Sequence, residues 1–491
     1  MAKLESFITI SGINLNRNSQ IPLYKQLYNN LKNGILCGRL SSGARLPSTR
    51  AFATELDLSR STVLLAIEQL IAEGYIESFV GKGSFVSQHL PDLQVKTLNQ
   101  DKPSKKPLVK LSKRAEAFVA SRVYDDSSNP AFRPGIPETS EFPFKIWRSL
   151  LNKHWRQPEA KNLFYGSGAG YLPLRQEIAN YLKLARGVSC AAEQVIIVNG
   201  SQQALQIASH LLADANDQVW IENPGYTGAQ AAFRSAMLEL IPVPVDNEGL
   251  SVKIGKERSP KAKFVYVSPS HQYPMGVTMS LARRLELLNW AAKNNAWILE
   301  DDYDSEFRFK GQPLSALQGL DKSDSVVYIG SFSKVLFPAL RLGYVVVPKG
   351  LSEAFVKARL HFDRGSPWIN QMVLADFIAE GHFARHIRKM RVIYSKRREL
   401  LIDQLTKQLA DMEISSSPAG MHLILLLPAN YSDIEVAKKL KENNIEAFPL
   451  SNYSLDHSHK MGLVLGYGAV DEATIIKIVK QLAVIINTLK N

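Results

Sequence analysis

From Glu193 onward the chain alternates short β-rich runs with helical stretches, and this alternation limits the fold more than any other pattern in the sequence. Seven runs have the length and composition of buried strands, namely QVIIV, QVWIE, LIPVPV, KFVYV, AWILE, SVVYIG and LGYVVV. Strands separated by helices favour a mostly parallel sheet with helices on both faces. The sequence therefore predicts a large α/β domain over residues of about 150–370.

The pattern changes after about Asn370. One long charged helix is predicted over ADFIAEGHFARHIRKMRVIYSKRRELLIDQLTKQL, and the apolar runs MHLILLLP, IEAFPL and MGLVLGY follow it. Because a loop or a helix follows each run, we predict a smaller α+β domain over residues of about 371–491. Together the two domains form a C-terminal region that spans residues 130–491.

The N-terminal part of the chain carries a third pattern, in line with the three units that 491 residues suggest. Apolar stripes predict a first helix with Leu23, Leu27, Leu31 and Ile35, and a last helix with Val63, Ile67, Leu70 and Ile71. Ser48 and Ser59 are suited to cap the second and third helices, and Gly74 to end the third. Two short strands around VGKG complete a winged helix-turn-helix domain, predicted over residues 15–88.

Residues 89–129 are interpreted as a linker, because basic residues stand there among prolines and polar residues with little periodicity. The basic residues are Lys96, Lys102, Lys105, Lys106, Lys110, Lys113 and Arg114. They belong either to a solvated tether or to additional contacts with DNA phosphates.

The composition limits the classes of partner and bound group that we expect for this chain. A net charge of +13 favours a polyanionic partner. Only two cysteines, Cys37 and Cys190, occur, without a CxxC or Cys/His cluster, so we expect neither a disulfide framework nor a bound metal. The start, MAKLESFITISGINLN, lacks the pattern of a signal peptide, and no apolar run reaches the roughly 18 residues of a spanning helix. We expect a cytoplasmic protein without a membrane partner.

Three motifs in the C-terminal region are suited to bind a charged ligand. NGSQQAL follows a strand and opens a helix, so that Ser201, Gln202 and adjacent amides face an anion. EDDYDSEF ends another strand with carboxylates, which could bind a metal, cap a helix or pair with a cation. SFSKVLFPALRLGY places Lys334 among small and apolar residues, with Arg341 seven positions further on. A buried ammonium is costly unless it is paired or deprotonated.

In this chain order the motifs form the set that pyridoxal phosphate requires. A lysine forms a Schiff base with its aldehyde, a carboxylate keeps its pyridine nitrogen protonated, and hydroxyl or cationic groups hold its phosphate. Pyridoxal 5′-phosphate is therefore the predicted cofactor.

The N-terminal stretch ARLPSTRAFATELDLSRSTV closely resembles the GntR-type winged helix. The matching residues are Arg45, Ser48, Arg50, Ser59, Arg60 and Thr62. Hydroxyl and amide groups at helix N-termini suit phosphates, and an arginine at the start of the recognition helix reaches base edges in the major groove. Lys82, between Gly81 and Gly83, is placed to follow the DNA backbone or the minor groove. The predicted partner is a double-stranded DNA operator.

Over essentially its full length the chain resembles the MocR/GabR family, in which a GntR-type winged helix precedes a fold-type I aminotransferase-like domain. The resemblance rests on NPGY at 223–226, SPSHQYPMG at 268–276, EDDYDSEF, GSFSK and FPALRLGY. It implies that Lys334 forms the internal aldimine and that Asp301, rather than Asp302, holds the pyridine nitrogen. Tyr303 is implied to reach the phenolate oxygen and Tyr226 to stack on the ring. The implied phosphate ligands are Ser201, Gln202, Ser331, Ser333 and Arg341.

The resemblance further implies a homodimer in which each DNA-binding unit packs on the partner's aminotransferase-like domain. Tyr165, in FYGSGAGYLPLR, is similar to an aminotransferase tyrosine that reaches the neighbouring subunit's cofactor phosphate. The other interpretation of Tyr165 is a core tyrosine.

Two positions depart from the GABA-responsive members of the family. Lys460, a candidate effector contact, stands where those members have an arginine before the last sheet segment, and Gly228 stands where they have a second arginine. Lysine cannot form the planar fork that arginine makes with a carboxylate, so a GABA-type effector is not expected. Gly228 is expected to leave open space.

The expected function is a transcriptional regulator that senses pyridoxal phosphate, or an amine or amino acid bound to it as an aldimine, and changes its DNA affinity in response. The alternative is an active class I/II-type aminotransferase with a DNA-binding appendage, although only residual half-reactions are expected. A third interpretation, a sensor without the cofactor, requires Lys334 to be structural.

Overall fold

The computed structural model describes residues 13–90, 110–119, 131–156, 164–311, 314–415, 417–456 and 460–489. Contacts divide the chain into two compact units, Met1–Leu108 and Val109–Asn491. The linker residues Lys96, Lys102, Lys105 and Lys106 lie outside the described residues. Among the helices in the described ranges, none is long and apolar enough to cross a membrane.

The first unit contains a winged helix-turn-helix, as predicted. Its elements are α1 (Leu23–Leu36), α2 (Thr49–Glu55), α3 (Arg60–Ala72), β1 (Ile76–Phe79) and β2 (Gly83–Val86). The two strands pair as an antiparallel hairpin. The Ser48 and Ser59 hydroxyls accept the backbone N–H groups of Ala51 and Thr62 at 3.2 and 3.1 Å, and these bonds begin α2 and α3.

Apolar side chains from the three helices form the core of this unit. Leu27, Phe52 and Leu70 are completely buried in it. The prediction that Val63 and Leu70 lie on the buried face of α3 is confirmed. The same prediction is wrong for Ile71, which is 37% exposed. Ile71 is turned by about 100° from Leu70 around the helix axis, which places its side chain at the edge of the buried face.

The second unit contains an eight-stranded sheet. Its strands are β3 (Val195–Val198), β4 (Gln218–Asn223), β5 (Glu239–Asp246), β6 (Gly249–Leu250), β7 (Phe264–Val267), β8 (Trp297–Asp302), β9 (Val326–Ser331) and β10 (Gly343–Val346). Their spatial order is β3-β10-β9-β8-β7-β4-β5-β6. β10 and β6 run antiparallel to their neighbours, and the other neighbouring strands are parallel. Each of the seven predicted runs forms a strand, so the mostly parallel sheet is confirmed.

Helices cover both faces of this sheet. The helices of this part of the chain are α4 (Lys113–Val119), α5 (Phe144–Arg156), α6 (Leu172–Arg186), α7 (Ser201–Leu212), α8 (Thr227–Ser235), α9 (Val252–Arg258), α10 (Leu281–Asn294), α11 (Leu317–Leu320) and α12 (Ser352–Asp363). Val219 and Ile221 of β4 face a core that includes side chains of α7 and α8. Trp220, between them, faces the opposite core, where its ring stacks on Trp290 of α10 at 3.8 Å. The alternation along one strand thus fills both faces.

The predicted smaller α+β domain follows, and its sheet is antiparallel. Its strands are β11 (Ile414–Ser415), β12 (His422–Leu426), β13 (Phe448–Pro449) and β14 (Gly462–Gly466), in the order β11-β12-β14-β13. Its neighbouring helices are α13 (Trp368–Ala379), α14 (His382–Gln408), α15 (Asp433–Glu442) and α16 (Glu472–Thr488). The prediction of one long charged helix is wrong, because α13 and α14 are separate. Gly381 separates them with a φ of 75°, a left-handed conformation that glycine adopts without strain.

The predicted linker contains a helix. Lys113–Val119 form α4, which packs against α8 within the second unit. A helix of two turns is too short to show a 3.6-residue period, so a sequence pattern does not reveal it. The contacts with α8 therefore position α4 in the second unit.

We expect Phe52→Ala to destabilise the first unit by about 3–5 kcal/mol, because loss of the buried ring leaves a cavity between the helices. Hydrogen–deuterium exchange of the full-length protein, followed on peptides from α2 and α3, should become faster. Phe79→Ala is the matched control, because the Phe79 ring on β1 is half exposed. Equal effects of the two substitutions would contradict this description of the core.

Candidate functional site

A cavity of about 610 Å³ opens in the second unit at the carboxyl ends of the parallel strands. Ligands of open α/β sheets bind at this edge. The wall of the cavity includes six of the predicted site residues, which are Ser201, Gln202, Tyr226, Asp301, Tyr303 and Lys334. Folding therefore brings these residues together although they lie far apart in the sequence.

Lys334 lies after β9, and its Nζ donates a hydrogen bond to the carbonyl oxygen of Gly135 at 2.7 Å. Gly135 has a φ of 78°, and a Cβ atom there would lie 2.9 Å from Nζ. The left-handed backbone therefore favours glycine at this position, and a Cβ atom there would displace the Lys334 ammonium. The carbonyl dipole compensates part of the cost of placing an ammonium in a half-buried wall.

Asp301 ends β8, and its carboxylate is buried. The Tyr266 hydroxyl donates to Oδ2 at 2.8 Å, whereas Oδ1 has no hydrogen-bond partner among the described residues. Burial raises the pKa of Asp301 to about 7, against the effects of the Tyr266 hydrogen bond and the Lys334 ammonium. Because a buried acceptor without a donor is costly, Oδ1 is suited to receive an N–H group from a ligand.

The adjacent Asp302 is already paired. Arg186 Nε and the Tyr328 hydroxyl donate to its Oδ2 at 2.8 and 2.5 Å. Both members of the Arg186–Asp302 ion pair are buried. This pairing favours Asp301 over Asp302 as the carboxylate that meets a ligand.

The N-terminus of α7 faces the same cavity. Ser201 and Gln202 are its first two residues, and Gly200 caps it with a φ of 122°. Gln202 Nε2 donates to the Gly228 carbonyl oxygen at 3.1 Å, which holds the side chain on the wall. The unpaired N–H groups of a first helical turn, together with the helix dipole, attract an anion.

Three further predicted phosphate ligands lie on either side of Lys334, outside the lining of the cavity. Ser331 ends β9, and its hydroxyl accepts the Ser333 backbone N–H at 3.2 Å. Arg341 is exposed, with a φ of 53°. Its guanidinium is close enough to Tyr226 to oppose the rise in the Tyr226 pKa, to about 12, that burial causes.

The ring of Tyr226 lies against Gly228. A Cβ atom at position 228 would lie 2.3 Å from Tyr226 Cζ, so no side chain fits there while the ring keeps this position. The expectation of open space at Gly228 is wrong, because the Tyr226 ring occupies it.

Tyr303 is linked to a buried histidine and a buried carboxylate. Its Oη lies 3.1 Å from His271 Nδ1, and both carboxylate oxygens of Asp304 lie 3.0 Å from the same nitrogen. Burial raises the pKa of Tyr303 well above its ordinary value. The Tyr303 hydroxyl therefore keeps its hydrogen at neutral pH.

Several residues that build the site are missing from the sequence prediction. Tyr266 lies within the buried run KFVYV, and Gly135 lies far upstream of Lys334. Arg133 and Glu446 form a buried ion pair at 3.2 Å, and Arg133 also lines the cavity. Phe118 of α4 covers part of the wall. The alternation along KFVYV shows which face of β7 Tyr266 occupies, but no local signal names its partner.

Tyr165 and Lys460 lie outside the lining of the cavity. Tyr165 is 75% exposed, and the Arg364 guanidinium lies 5.4 Å from its ring centre. Its interpretation as a core tyrosine is therefore wrong. The Lys460 side chain is 70% exposed and lies 3.6 Å from Glu413.

In the first unit, three of the predicted DNA-contacting residues present their charges to solvent. Arg60 opens α3, Arg50 lies on α2, and Lys82 lies at the tip of the hairpin. Gly81 and Gly83, on either side of Lys82, have φ values of 76° and 101°, which allow the tight turn.

The other four predicted residues are engaged in local contacts. Ser48 and Ser59 cap helices, and the Ser59 hydroxyl lies 2.7 Å from the Thr62 hydroxyl. The Arg45 guanidinium lies 5.9 Å from the centre of the Phe85 ring on the hairpin. These residues shape the surface that carries the exposed charges.

Two family descriptions match the chain. Residues 23–86 match bacterial regulatory proteins of the gntR family, and residues 139–475 match aminotransferase class I and II. The predicted fold class, a winged helix followed by a fold-type I aminotransferase-like domain, is confirmed.

Relatives named as regulators match nearly the whole chain. It is 39% identical to the probable rhizopine catabolism regulatory protein MocR of Rhizobium meliloti, over 94% of this chain and 93% of that protein. It is 31% identical to the HTH-type pyridoxine biosynthesis transcriptional regulator PdxR of Corynebacterium glutamicum, over 94% of this chain and 96% of that protein.

Solved structures of aminotransferases resemble the second unit. A Pyrococcus horikoshii kynurenine aminotransferase, in complex with PMP, aligns with a TM-score of 0.69 and 28% identity, over 78% of this chain and 96% of that one. The α-aminoadipate aminotransferase LysN of Thermus thermophilus, complexed with N-(5′-phosphopyridoxyl)-L-leucine, aligns with a TM-score of 0.70 and 26% identity, over 77% and 97%.

The raised pKa of Asp301 predicts how pH affects the stability of the ligand-free protein. A carboxyl group whose pKa rises on folding stabilises the folded state at low pH, and this contribution is lost as the pH rises from 3.8 towards about 7. Asp301→Asn removes this ionisation, so we expect a smaller fall in the melting temperature between about pH 5 and about pH 8 than in the wild type. Thermal unfolding followed by circular dichroism measures the difference.

The matched control is the adjacent Asp302→Asn. It removes the charge that compensates the buried Arg186, so we expect a loss of about 3–5 kcal/mol at about pH 5 and at about pH 8 alike. If Asp301→Asn destabilised the ligand-free protein at about pH 8 as strongly as Asp302→Asn, the description of Asp301 as half satisfied would be wrong.

Proposed function

This chain belongs to the MocR family of HTH-type transcriptional regulators, and we propose that pyridoxal phosphate bound at Lys334 controls its affinity for DNA. One observation carries the proposal: the Lys334 amine, the half-satisfied Asp301 carboxylate and the N-terminus of α7 meet in one cavity. Pyridoxal phosphate supplies the three matching groups, which are an aldehyde that condenses with amines, a pyridine nitrogen and a phosphate.

Each of these residues then has a definite task. Lys334 supplies the primary amine, and its carbonyl partner at Gly135 holds it on the cavity wall. Asp301 Oδ1 accepts the hydrogen of the pyridine nitrogen, which satisfies the orphan acceptor. Tyr226 stacks on the ring, and Tyr303 donates to the ring oxygen.

The phosphate is held by the N-terminus of α7 and by the segment around Lys334. The residues proposed for this role are Ser201, Gln202, Ser331, Ser333 and Arg341. Arg341 and the dipole of α7 supply the positive charge that a dianion requires. The exposed ring of Tyr165 is suited to reach the same phosphate from a second subunit, so the proposal includes a homodimer.

The effector is proposed to be an amine, an amino acid or pyridoxal phosphate itself, bound in the same cavity. Phe118 and Val119 of α4 line this cavity, and α4 lies in the segment that follows the DNA-binding unit along the chain. α4 packs on α8, whose cap residue Tyr226 also lines the cavity. A ligand that changes the position of Tyr226 or Phe118 therefore acts on the chain that leads to the winged helix.

The relatives favour regulation over the alternative of an active aminotransferase. MocR and PdxR, which match over nearly their full lengths, are named as regulators, whereas the aminotransferases match the second part of the chain. Because the first unit carries a GntR-type winged helix, the proposed partner is a double-stranded DNA operator that Arg45, Arg50, Arg60 and Lys82 contact.

We expect Lys334→Ala to abolish covalent attachment of pyridoxal phosphate while sequence-specific DNA binding stays measurable. Borohydride reduction followed by peptide mass spectrometry detects the attachment, and electrophoretic mobility shift detects DNA binding. Lys349→Ala, at an exposed lysine near the end of β10, is the control and should keep both properties. If the wild-type protein takes up no pyridoxal phosphate, the proposal is wrong. If the Lys334→Ala protein does not fold, Lys334 has a structural role instead.

We expect Arg60→Ala to weaken binding to the operator by about 1–3 kcal/mol and to relax its sequence preference, because an arginine at the start of α3 can reach base edges. Lys82→Ala should instead weaken binding to operator and scrambled DNA alike and reduce the salt slope by about 1. Fluorescence anisotropy over a salt series, on an operator selected from bound genomic fragments, separates the two effects. Equal losses on both duplexes for Arg60→Ala would show a phosphate contact.

A further inference from the structure

A buried histidine–carboxylate pair lies behind Tyr303, and the proposed function gives it no task. His271 follows β7 and Asp304 follows β8, and their side chains are 2% and 1% exposed. His271 Nδ1 lies 3.0 Å from both carboxylate oxygens of Asp304 and 3.1 Å from Tyr303 Oη. Nδ1 of His271 therefore lies within hydrogen-bond distance of both a carboxylate and a phenol.

The direction of these hydrogen bonds follows from the donors and acceptors. Burial raises the pKa of Asp304, whereas the contact with His271 opposes this rise and favours the ionised carboxylate. In that form the carboxylate only accepts, so Nδ1 carries the hydrogen and donates it to Asp304. A nitrogen that carries a hydrogen has no lone pair to offer, so the Tyr303 hydroxyl cannot donate to His271. The hydrogen of Tyr303 must therefore point elsewhere, and the cavity that Tyr303 lines offers the other direction.

We propose that His271 and Asp304 are positioning residues that keep the Tyr303 hydroxyl as a hydrogen donor towards the ring oxygen of pyridoxal phosphate. This inference rests on the proposed function, because it requires the cofactor in the cavity. Without the N–H group of His271, the buried Asp304 carboxylate would become a competing acceptor for the Tyr303 hydrogen. The pair acts through Tyr303 and has no contact with the cofactor of its own in this proposal.

A second buried histidine, His422, lies next to the pair. Its ring centre lies 5.1 Å from that of His271, and its Nε2 donates to the Pro274 carbonyl oxygen at 2.9 Å. His271, Asp304 and His422 offer atoms within 4.8 Å of one another, as a metal site would. Asp304 engages His271 through Nδ1, whereas His271 Nε2 is buried without a hydrogen-bond partner among the described residues.

The pair has a measurable consequence in the cofactor-loaded protein. A hydrogen bond donated to the ring oxygen withdraws negative charge from it, so that the adjacent proton on the Lys334 nitrogen is lost at a lower pH. Loss of this donor should raise the pH midpoint of the visible absorbance change. Other titratable groups that act on Asp304 or Tyr303 are Asp301, Asp302, Lys334, Tyr266 and Tyr273, and the variants below leave them in place.

The experiment is an absorbance titration of the full-length protein loaded with pyridoxal phosphate. Tyr303→Phe and His271→Ala should each raise the midpoint by about one pH unit, or tenfold in proton affinity. The double variant should show no further rise, because both changes remove the same hydrogen bond. His271→Asn should stay near the wild-type midpoint, since its side-chain amide can still donate to Asp304.

The outcomes distinguish the proposed function from the positioning role of His271 and Asp304. A wild-type protein that takes up no pyridoxal phosphate overturns the proposed function. If the protein loads but His271→Ala keeps the wild-type midpoint, or if its shift adds fully to that of Tyr303→Phe, the positioning role is wrong. If His271→Ala does not fold, Asp304→Asn replaces it, because an amide no longer obliges Nδ1 to donate, and an unchanged midpoint there overturns the role equally.

Discussion

Four carboxylates lie buried within five residues at the end of β8, and the ligand-binding edge of the sheet is organised around them. Burial of a carboxylate without compensation costs several kcal/mol, so each needs a partner. Glu300 accepts two backbone N–H groups at the start of α11, Asp302 pairs with Arg186, and Asp304 pairs with His271. Since these partners come from different segments, the carboxylates tie the end of β8 to the loops that surround the cavity.

Asp301 is the exception among the four, and this exception marks the site. Its Oδ2 accepts from Tyr266, but its Oδ1 is left without a donor in the described structure. Lys334, in the same wall, donates to the Gly135 carbonyl oxygen. A ligand with an N–H group would satisfy Asp301 Oδ1, and this incomplete pairing of Asp301 fits a site for pyridoxal phosphate.

The second unit resembles aminotransferases, but α4, the helix that connects it along the chain to the first unit, is suited to a regulatory role. α4 comes directly after the boundary between the two units along the chain, and two of its side chains line the cavity. The wall of the proposed cofactor site thus includes part of the connection to the winged helix.

Local patterns predicted much of this protein. Strand alternation and helix caps depend on neighbouring residues, and they predicted the parallel sheet and the caps Ser48 and Ser59. The order of the motifs made Lys334 a candidate site residue, and the family resemblance implied Asp301, and both stay predictions. Folding alone decided that Tyr266 and the Gly135 carbonyl support the site, that α4 lies on α8, and that Gly381 separates two helices. These contacts join residues distant in the chain, and the pattern around one residue holds no information about which distant residue will pack against it.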